Sequence, residues 1–524
     1  MPKAINNLFS SNACDIFADD KFQQMEISNP SNFIDLNDTL IEFSERPEDA
    51  WMLQDALRGT QIFGGIGSGK TSGSGRVIAG RFLEEGFGGI VLCAKPDEKD
   101  NWLKLAEENN RAADVVIFEE GSDYFFNPLN YESTRFGRGA GESYNLVNLF
   151  MNIYQMGRAF SGEGMSKEGD RFWDNALKRC MRRMIDFLKL AGEDVSVLNM
   201  QSLITSALSK EEIEQLNEIR NQADNNKAYD ELTEWSERSY YIKCYIKAFT
   251  KYAKLLKEGA PTLEETKFTL QMLQNYFERE FGNLAERTRT IIIESFLGIA
   301  EPFLGGILKK HFAGKTNIQP EWTYQKGSII ILDFPIKNYL DAGVYAQGIF
   351  KLLFQQAMER RDFKPGKDRP VFLWVDESQF FLSDYDQTFQ TTARSSGTCT
   401  VFLSQNISNY YAALGGKDPK PKVDSLLANL STKIFHGNND AVTNEWASRT
   451  IGKEFRLVRG FSSGDKSESI NSSQQLHDMV GSAEFTMLKG GGKTNDFIVE
   501  AILTVAGKKW SNGQNHLRVE FEQT

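Results

Sequence analysis

The segment GGIGSGKT at residues 64–71 carries the residue types that bind a polyphosphate. It matches the pattern G-x-x-x-x-G-K-[ST], whose glycines let successive backbone amides point at an anion at the positive end of a following helix. We expect Lys70 to reach the β and γ phosphates and the Thr71 hydroxyl to ligate Mg2+. The predicted nucleotide-binding residues are Gly64, Gly65, Ile66, Gly67, Ser68, Gly69, Lys70, Thr71 and Ser72. The pattern therefore predicts a P-loop nucleoside triphosphatase with ATP and Mg2+ as cofactors.

Two acids follow a second apolar strand, VFLWVDE, at residues 371–377. Asp376 at the strand tip is expected to hold the magnesium ion, directly or through water. Glu377 would orient and deprotonate the attacking water, as hydrolysis requires. A strand that merely ends in acids at the surface is the alternative, and the P-loop in the same chain favours the catalytic interpretation.

Two further residues are candidates for the same site. The strand CTVFLSQ ends at Gln405, where a polar side chain beside the magnesium strand can sense the γ-phosphate. Arg394, in TTARSSG, is a candidate arginine finger that acts on a neighbouring subunit's nucleotide. A solvated strand end and a surface arginine are the corresponding alternatives, and both stay open on the sequence alone.

Some similar segments are left outside the site. GGGKT at 490–494 lacks the first glycine of the pattern because residue 487 is methionine, so it is interpreted as a flexible turn between strands. Asp333 is interpreted as a cap of the turn into Pro335. The five cysteines and four histidines are scattered, which disfavours a zinc site.

The elements that must position these residues are apolar runs without polar alternation, separated by helical stretches. This pattern is typical of a parallel sheet covered on both faces, as in a RecA-like α/β domain. The runs lie at 60–63, 88–95, 114–118, 327–334, 370–377, 397–405 and 431–436.

Between the two groups of strands, residues 193–285 are charged, poor in strand formers and helical in period. They predict an all-α domain inserted into the α/β domain. The polar stretch 461–475 is interpreted as a mobile loop. The predicted organisation is an irregular arm or cap (1–50), the first part of the nucleotide-binding domain (51–192), the insertion (193–285) and the second part (286–524).

Composition narrows the class of protein. The formal charge of −11 argues against a protein that coats nucleic acid over its whole surface, although it permits a local basic channel. The most apolar stretch, 290–308, is interrupted by two glutamates and a proline, so a membrane span is not expected. The amino-terminal residues lack the basic and apolar regions of a secretory signal. We therefore expect a cytoplasmic protein.

Several segments together resemble the type IV secretion system coupling proteins, the TraG/TraD-like branch of the HerA–FtsK P-loop ATPases. The resemblance is carried by GDRFWDNALKRCMRRMIDF (169–187), SIIILDFP (328–335), TTARSSGTCTVFLSQNISNYY (391–411) and ANLSTKIFHGNNDAVTNEWASRTIGK (428–453). It covers about residues 55–510. The chain departs from many coupling proteins in beginning with a polar arm instead of transmembrane helices.

The resemblance implies a hexameric ring with nucleotide between subunits and DNA, single- or double-stranded, driven through a central pore. It makes Gln405 the γ-phosphate sensor and Arg394 the finger. The implied partners are a relaxase or relaxosome, or a secretion-channel component. The implied location is the cytoplasm, with recruitment to the inner face of the membrane only through a partner.

Two other functions remain open on the sequence. One is a nucleotide-switched recruitment protein that captures a protein partner without moving DNA. The other is a cytosolic HerA-like translocase in a different DNA-processing or defence system.

Overall fold

A computed structural model describes residues 33–160, 171–414, 419–464 and 467–523. The chain divides into two compact units. In the described part, a helical unit comprises residues 123–155 and 171–319, and a sheet unit comprises residues 33–122, 156–160 and 320–523. The two units are described separately.

The sheet unit is organised around nine strands in the order β13-β12-β9-β3-β8-β7-β4-β6-β5. Strand β12 runs antiparallel to both of its neighbours, and the other neighbouring strands pair in parallel. The pairs β1–β2 and β10–β11 form separate two-stranded sheets. The strands are β1 Thr39–Glu42, β2 Ala50–Met52, β3 Thr60–Phe63, β4 Gly88–Leu92, β5 Val115–Glu119, β6 Ile329–Asp333, β7 Val371–Val375, β8 Thr398–Ser404, β9 Thr432–His436, β10 Lys453–Gly464, β11 Ser467–Asp478, β12 Ile498–Val505 and β13 His516–Glu522.

The seven strands predicted from apolar runs are all present, as β3 to β9. Every residue of β4, β6 and β7 is buried, as a parallel sheet covered on both faces requires. The longer covering helices are Arg76–Glu84, Glu98–Glu108, Asp341–Glu359, Asp384–Thr392, Ile407–Leu414, Lys420–Asn429 and Ala441–Ile451, and the shorter ones are Leu53–Ala56, Trp322–Gln325, Ile336–Tyr339 and Glu484–Met487. The predicted α/β, RecA-like architecture is confirmed.

The helical unit contains no strand within its described residues. Its helices are Pro128–Thr134, Ser143–Phe160 (which extends past the unit's boundary), Arg171–Ala191, Val197–Thr205, Lys210–Arg220, Asn225–Arg238, Tyr240–Glu258, Leu263–Gln274, Glu286–Ala300 and Gly306–Phe312. The unit is wider than the predicted insertion at 193–285, because helices on both sides share its core. Phe150 contacts Phe296, and Phe187 contacts both Tyr241 and Phe277.

Three segments of the sheet unit differ from the sequence interpretation. Residues 33–50, assigned to an irregular arm, include β1, and Leu40 and Ile41 belong to the core. Within the stretch 461–475, assigned to a mobile loop, residues 461–464 and 467–475 belong to the paired strands β10 and β11, because backbone hydrogen bonds hold such a pair together whatever the polarity of its side chains. Strands β12 and β13 were not predicted.

No single helix in the described part of the chain is long and apolar enough to cross a membrane. The segments Glu286–Phe303 and Gly306–Phe312 meet the length and composition criteria only as a pair, bent by 85°.

A buried ion pair fixes the segment that follows the two acids of β7. The Lys351 ammonium donates to Phe381 O at 2.6 Å and to the two carboxylate oxygens of Asp386 at 2.7 and 2.6 Å. Gln355 donates to the same carboxylate, and both side chains of the pair are almost fully buried. Burial lowers the pKa of Lys351, and the charge of Asp386 offsets part of that shift. The pair joins helix Asp341–Glu359 to the start of helix Asp384–Thr392.

Replacing Lys351 by methionine should destabilise the sheet unit by about 3–5 kcal/mol, because Asp386 is left charged, buried and unpaired. Lys422→Met is the matched control, since Lys422 pairs with Asp384 on the same helix at the surface, and it should cost less than about 1 kcal/mol. Chemical denaturation of both variants measures the difference. Equal losses would contradict the assigned importance of the buried pair.

Candidate functional site

The segment 64–71 forms a loop between β3 and a helical segment that begins with a π turn at Thr71–Gly75. Gly67 and Gly69 have φ angles of 73° and 79°, in the left-handed region that favours glycine. A Cβ atom on Gly69 would lie 2.4 Å from Val499 Cγ2, so this position admits only glycine. Ile66, at the tip, is 90% exposed. The backbone geometry is that of an anion-binding loop.

Two side chains of the loop fit a polyphosphate. Ser68 Oγ is buried and has no hydrogen-bond partner in the described structure, so it is free to donate to an anion. Lys70 is 8% exposed, and its ammonium lies 3.7 Å from Glu377 Oε1. A buried cation beside an unsatisfied hydroxyl suits a ligand with several negative oxygens.

The loop meets the acid at the tip of β7. Thr71 Oγ1 donates to Asp376 Oδ2 at 2.9 Å, and Asp376 Oδ1 accepts from the Glu377 amide at 2.8 Å. A hydroxyl and a carboxylate oxygen at this distance form an oxygen ligand pair of the type that Mg2+ prefers. The structure therefore places the two predicted magnesium ligands together.

Glu377 accepts hydrogen bonds from three side chains and forms a longer ion pair with Lys70. Lys95 Nζ lies 2.8 Å from Oε1, Gln379 Nε2 lies 2.9 Å from Oε2, and Gln405 Nε2 lies 3.4 Å from both oxygens. Burial would raise the pKa of Glu377, but hydrogen bonds from Lys95 and Gln379, with the charge of Lys70, lower it to about 2. The backbone of Glu377 is left-handed, with φ 44°. An ionised carboxylate on a strained backbone therefore lies beside Lys70 of the phosphate loop. Backbone strain of this kind is common at functional sites.

Lys95 and Glu98 were not identified from the sequence. Lys95 follows β4, and although burial opposes its charge, the carboxylates of Asp376 and Glu377 raise its pKa. Glu98 is buried beside it, and burial together with the charge of Asp376 raises its pKa well above the usual value. Lys95 ends the predicted strand 88–95 and Glu98 follows three residues later, in LCAKPDE (92–98). This position is a signal that could have identified them.

Arg394 is the predicted site residue that the structure does not bring to this cluster. It is exposed and precedes the amino end of β8, whereas Gln405 follows its carboxyl end. A strand of this length spans roughly 20 Å. Within one chain, Arg394 therefore lies at the opposite edge of the sheet from Lys70, Thr71, Asp376, Glu377 and Gln405.

Buried hydrogen bonds join the helical segment that follows the phosphate loop to strands β9 and β12. His436, at the end of β9, contacts Ser74 Oγ through Nε2 at 2.7 Å and Glu500 O through Nδ1 at 3.1 Å. Because a carbonyl oxygen can only accept, Nδ1 carries the proton and Nε2 accepts from Ser74. Burial lowers the pKa of His436 to about 4. The ring is therefore neutral at physiological pH.

The segments left outside the site have other roles. Asp333 forms an ion pair with Lys99 at 2.9 Å. GGGKT (490–494) lies between helix Glu484–Met487 and β12 and continues into a short 3-10 turn, Lys493–Asn495, instead of a long helix. It is not a second phosphate loop.

Comparisons with known proteins match part of the sequence to one family model and the fold to solved structures. Residues 370–488 match the family model described as the TraM recognition site of TraD and TraG. No curated protein matches the chain.

Three similar solved structures are of one coupling protein. The bacterial conjugative coupling protein TrwBdeltaN70 has a TM-score of 0.56 at 13% identity, covering 91% of this chain and 87% of that one. Plasmid coupling protein TrwB with the GTP analogue GDPNP has a TM-score of 0.55 at 13% identity, covering 96% and 97%. TrwB with ADP and Mg2+ has a TM-score of 0.53 at 14% identity, covering 91% and 87%. The chain thus has the coupling-protein fold, and the resemblance to type IV coupling proteins is confirmed.

Acidification should destabilise the protein through His436. The pKa of His436 is about 4 in the folded protein and about 6.5 in the unfolded chain. Its neutral ring therefore contributes fully to the free energy of unfolding above pH 6.5, and this contribution is lost as the pH falls towards 4. Between pH 7.5 and pH 5 this loss amounts to about 2 kcal/mol. Urea denaturation at both pH values measures it. His436→Gln should have a smaller pH dependence by about that amount, and an unchanged dependence would contradict the assignment.

Proposed function

We propose that this chain is an ATP-hydrolysing, DNA-translocating motor that acts as a coupling protein in conjugative or type IV secretion transfer. The observation that carries the proposal is the Thr71–Asp376 contact at 2.9 Å, with the ionised Glu377 beside it. It joins a phosphate loop, a magnesium ligand pair and a candidate base at one edge of the sheet. TrwB, whose fold this chain shares, was solved with ADP and Mg2+ and with ATP and GTP analogues.

Each residue of the cluster has a role in the proposed reaction. Ser68 and the loop amides would hold the phosphate oxygens, and Thr71 and Asp376 would hold Mg2+. Bound Mg2+ supplies positive charge that stabilises the transferring phosphoryl group. Lys70 neutralises charge on the β and γ phosphates, Glu377 orients and deprotonates water, and Gln405 senses the γ-phosphate through a hydrogen bond.

The position of Arg394 supports a ring assembly. An arginine at the opposite sheet edge can complete a nucleotide site only in another subunit, since its own site is roughly 20 Å away. We therefore propose a homo-hexamer whose central pore carries DNA.

The proposed partners follow from the family match. The matched model is described as a TraM recognition site, so a relaxosome protein is the proposed partner of residues 370–488. We propose that the protein works in the cytoplasm and reaches the membrane through a secretion-channel component.

A second candidate is a nucleotide-switched recruitment protein, favoured by the acidic net charge. In that case ATP binding would organise a partner-binding surface and DNA would not pass through the molecule. DNA binding that weakens steeply with salt favours the motor, because phosphate contacts release counterions. Partner binding that follows nucleotide state and survives Glu377→Gln favours the switch.

Lys70→Ala should reduce ATP turnover by at least about 100-fold, because it removes the charge that stabilises the transferring phosphate. Lys104→Ala, on the exposed face of helix Glu98–Glu108, is the control and should leave turnover within about twofold. Turnover is measured with and without single- and double-stranded DNA. No stimulation of the assembled ring by either DNA would refute translocation, and near-normal turnover of Lys70→Ala would refute the site.

Arg394→Ala should abolish turnover and spare ATP binding, because the arginine is supplied to a neighbouring subunit. Arg238→Ala, an exposed arginine of the helical unit, is the control. Mixing Arg394→Ala with Glu377→Gln subunits should restore part of the activity, because some interfaces then pair an intact Arg394 with an intact Glu377. Absence of any recovery in mixed rings would contradict a shared site.

A further inference from the structure

The phosphate loop has two sides, and the sheet order distinguishes them. Asp376 and Gln405 follow β7 and β8, which lie on one side of β3. In the proposed function, these residues surround the γ-phosphate and its metal. The remaining neighbours, β9, β12 and β13, lie on the other side of β3. In this arrangement the phosphate chain would extend from the γ-phosphate towards the second side, and the nucleoside would lie there.

A loop of the same chain occupies the second side. This loop, residues 489–497, leads into β12 and is called here the flanking loop. A Cβ atom on its Gly490 would lie 3.3 Å from Gly67 O, and Val499, two residues after the loop, packs against Gly69 and Gly73. The flanking loop is therefore in van der Waals contact with the phosphate loop.

Gln523 ties the flanking loop to the residue after Thr71. Its Nε2 donates to Ser72 Oγ at 2.7 Å, and its Oε1 accepts from the Gly492 amide at 2.7 Å. The backbone N–H of Gln523 also donates to Phe497 O at 2.8 Å. These bonds fix the flanking loop relative to the end of the phosphate loop from which a nucleoside would extend.

Phe497 presents its ring to solvent under backbone strain. Its side chain is 47% exposed. Asp496 and Phe497 have consecutive φ angles of 52° and 59°, a conformation that non-glycine residues rarely adopt. The Phe497 amide donates to Gly492 O at 3.0 Å, which holds the turn closed. The backbone therefore fixes Phe497 at one place in the turn, with its side chain half exposed.

We propose that Phe497 is the stacking platform for the base of the bound nucleotide. The inference rests on the proposed function and adds the subsite for the nucleoside. Stacking on an aromatic face accepts any base, because every base has a π face. The subsite should therefore contribute affinity for nucleotides in general and discriminate weakly between ATP and GTP.

The test compares a ligand that has a base with one that has none. Calorimetry in the presence of Mg2+ measures binding of ATP and of inorganic tripolyphosphate to the full chain. Phe497→Ala should weaken ATP binding by about 10-fold, the scale of one lost base–aromatic stack, and leave tripolyphosphate binding within twofold. Phe497→Trp should retain ATP affinity. Phe455→Ala, which removes an exposed phenylalanine of ribbon β10–β11, is the matched control and should change neither affinity.

Phe497→Gly controls for folding, since glycine adopts the positive φ without strain and should preserve the melting temperature while losing ATP affinity. Unchanged ATP binding in both Phe497→Ala and Phe497→Gly overturns the subsite and leaves the proposed ATPase intact. An equal loss of ATP and tripolyphosphate binding also overturns it, because the residue would then act through the phosphate loop. If the unmodified protein binds neither ligand, the proposed function itself fails.

Discussion

The hydrogen bond between Thr71 and Asp376 joins residues 305 positions apart in the chain. It requires β3, β8 and β7 to be parallel neighbours in register, so that the loop after β3 and the acid after β7 emerge at one edge. A polyphosphate loop without this acid could hold an anion but could not complete a metal site. The order of strands is therefore the constraint on which the candidate chemistry depends.

At this edge of the sheet, acidic groups are paired with nearby lysines, although the whole chain carries a negative net charge. The net charge is −11, yet Glu377 lies within 4 Å of two lysine ammonium groups, those of Lys70 and Lys95. Burial removes water that would otherwise screen these charges, and Lys95 and Glu377 each favour the charged form of the other. The net charge of the chain therefore does not indicate the charges at the candidate site.

Much of this arrangement could be predicted from the sequence. The glycine and lysine spacing at 64–71 identified the phosphate loop, and uninterrupted apolar runs identified β3 to β9, because both signals are local. Strand order is set by long-range packing, so Lys95 could not be placed beside Glu377. The positions of Arg394 before β8 and of Gln405 after it were a local signal that these two residues lie at opposite edges of the sheet. The alternating pattern of HLRVEFE in β13 was a local signal for an edge strand and was missed. The roles of the site residues remain predictions.

The buried hydrogen bonds of Lys351 connect two parts of the sheet unit. They join the segment after Glu377 to a helix of 19 residues, about 28 Å long. At the far end of that helix, Glu359 accepts a hydrogen bond from Thr392, two residues before Arg394. A continuous set of contacts therefore runs from the segment after Glu377, through this helix, to the residues just before Arg394. In a ring, each subunit would relay its own nucleotide state to the next.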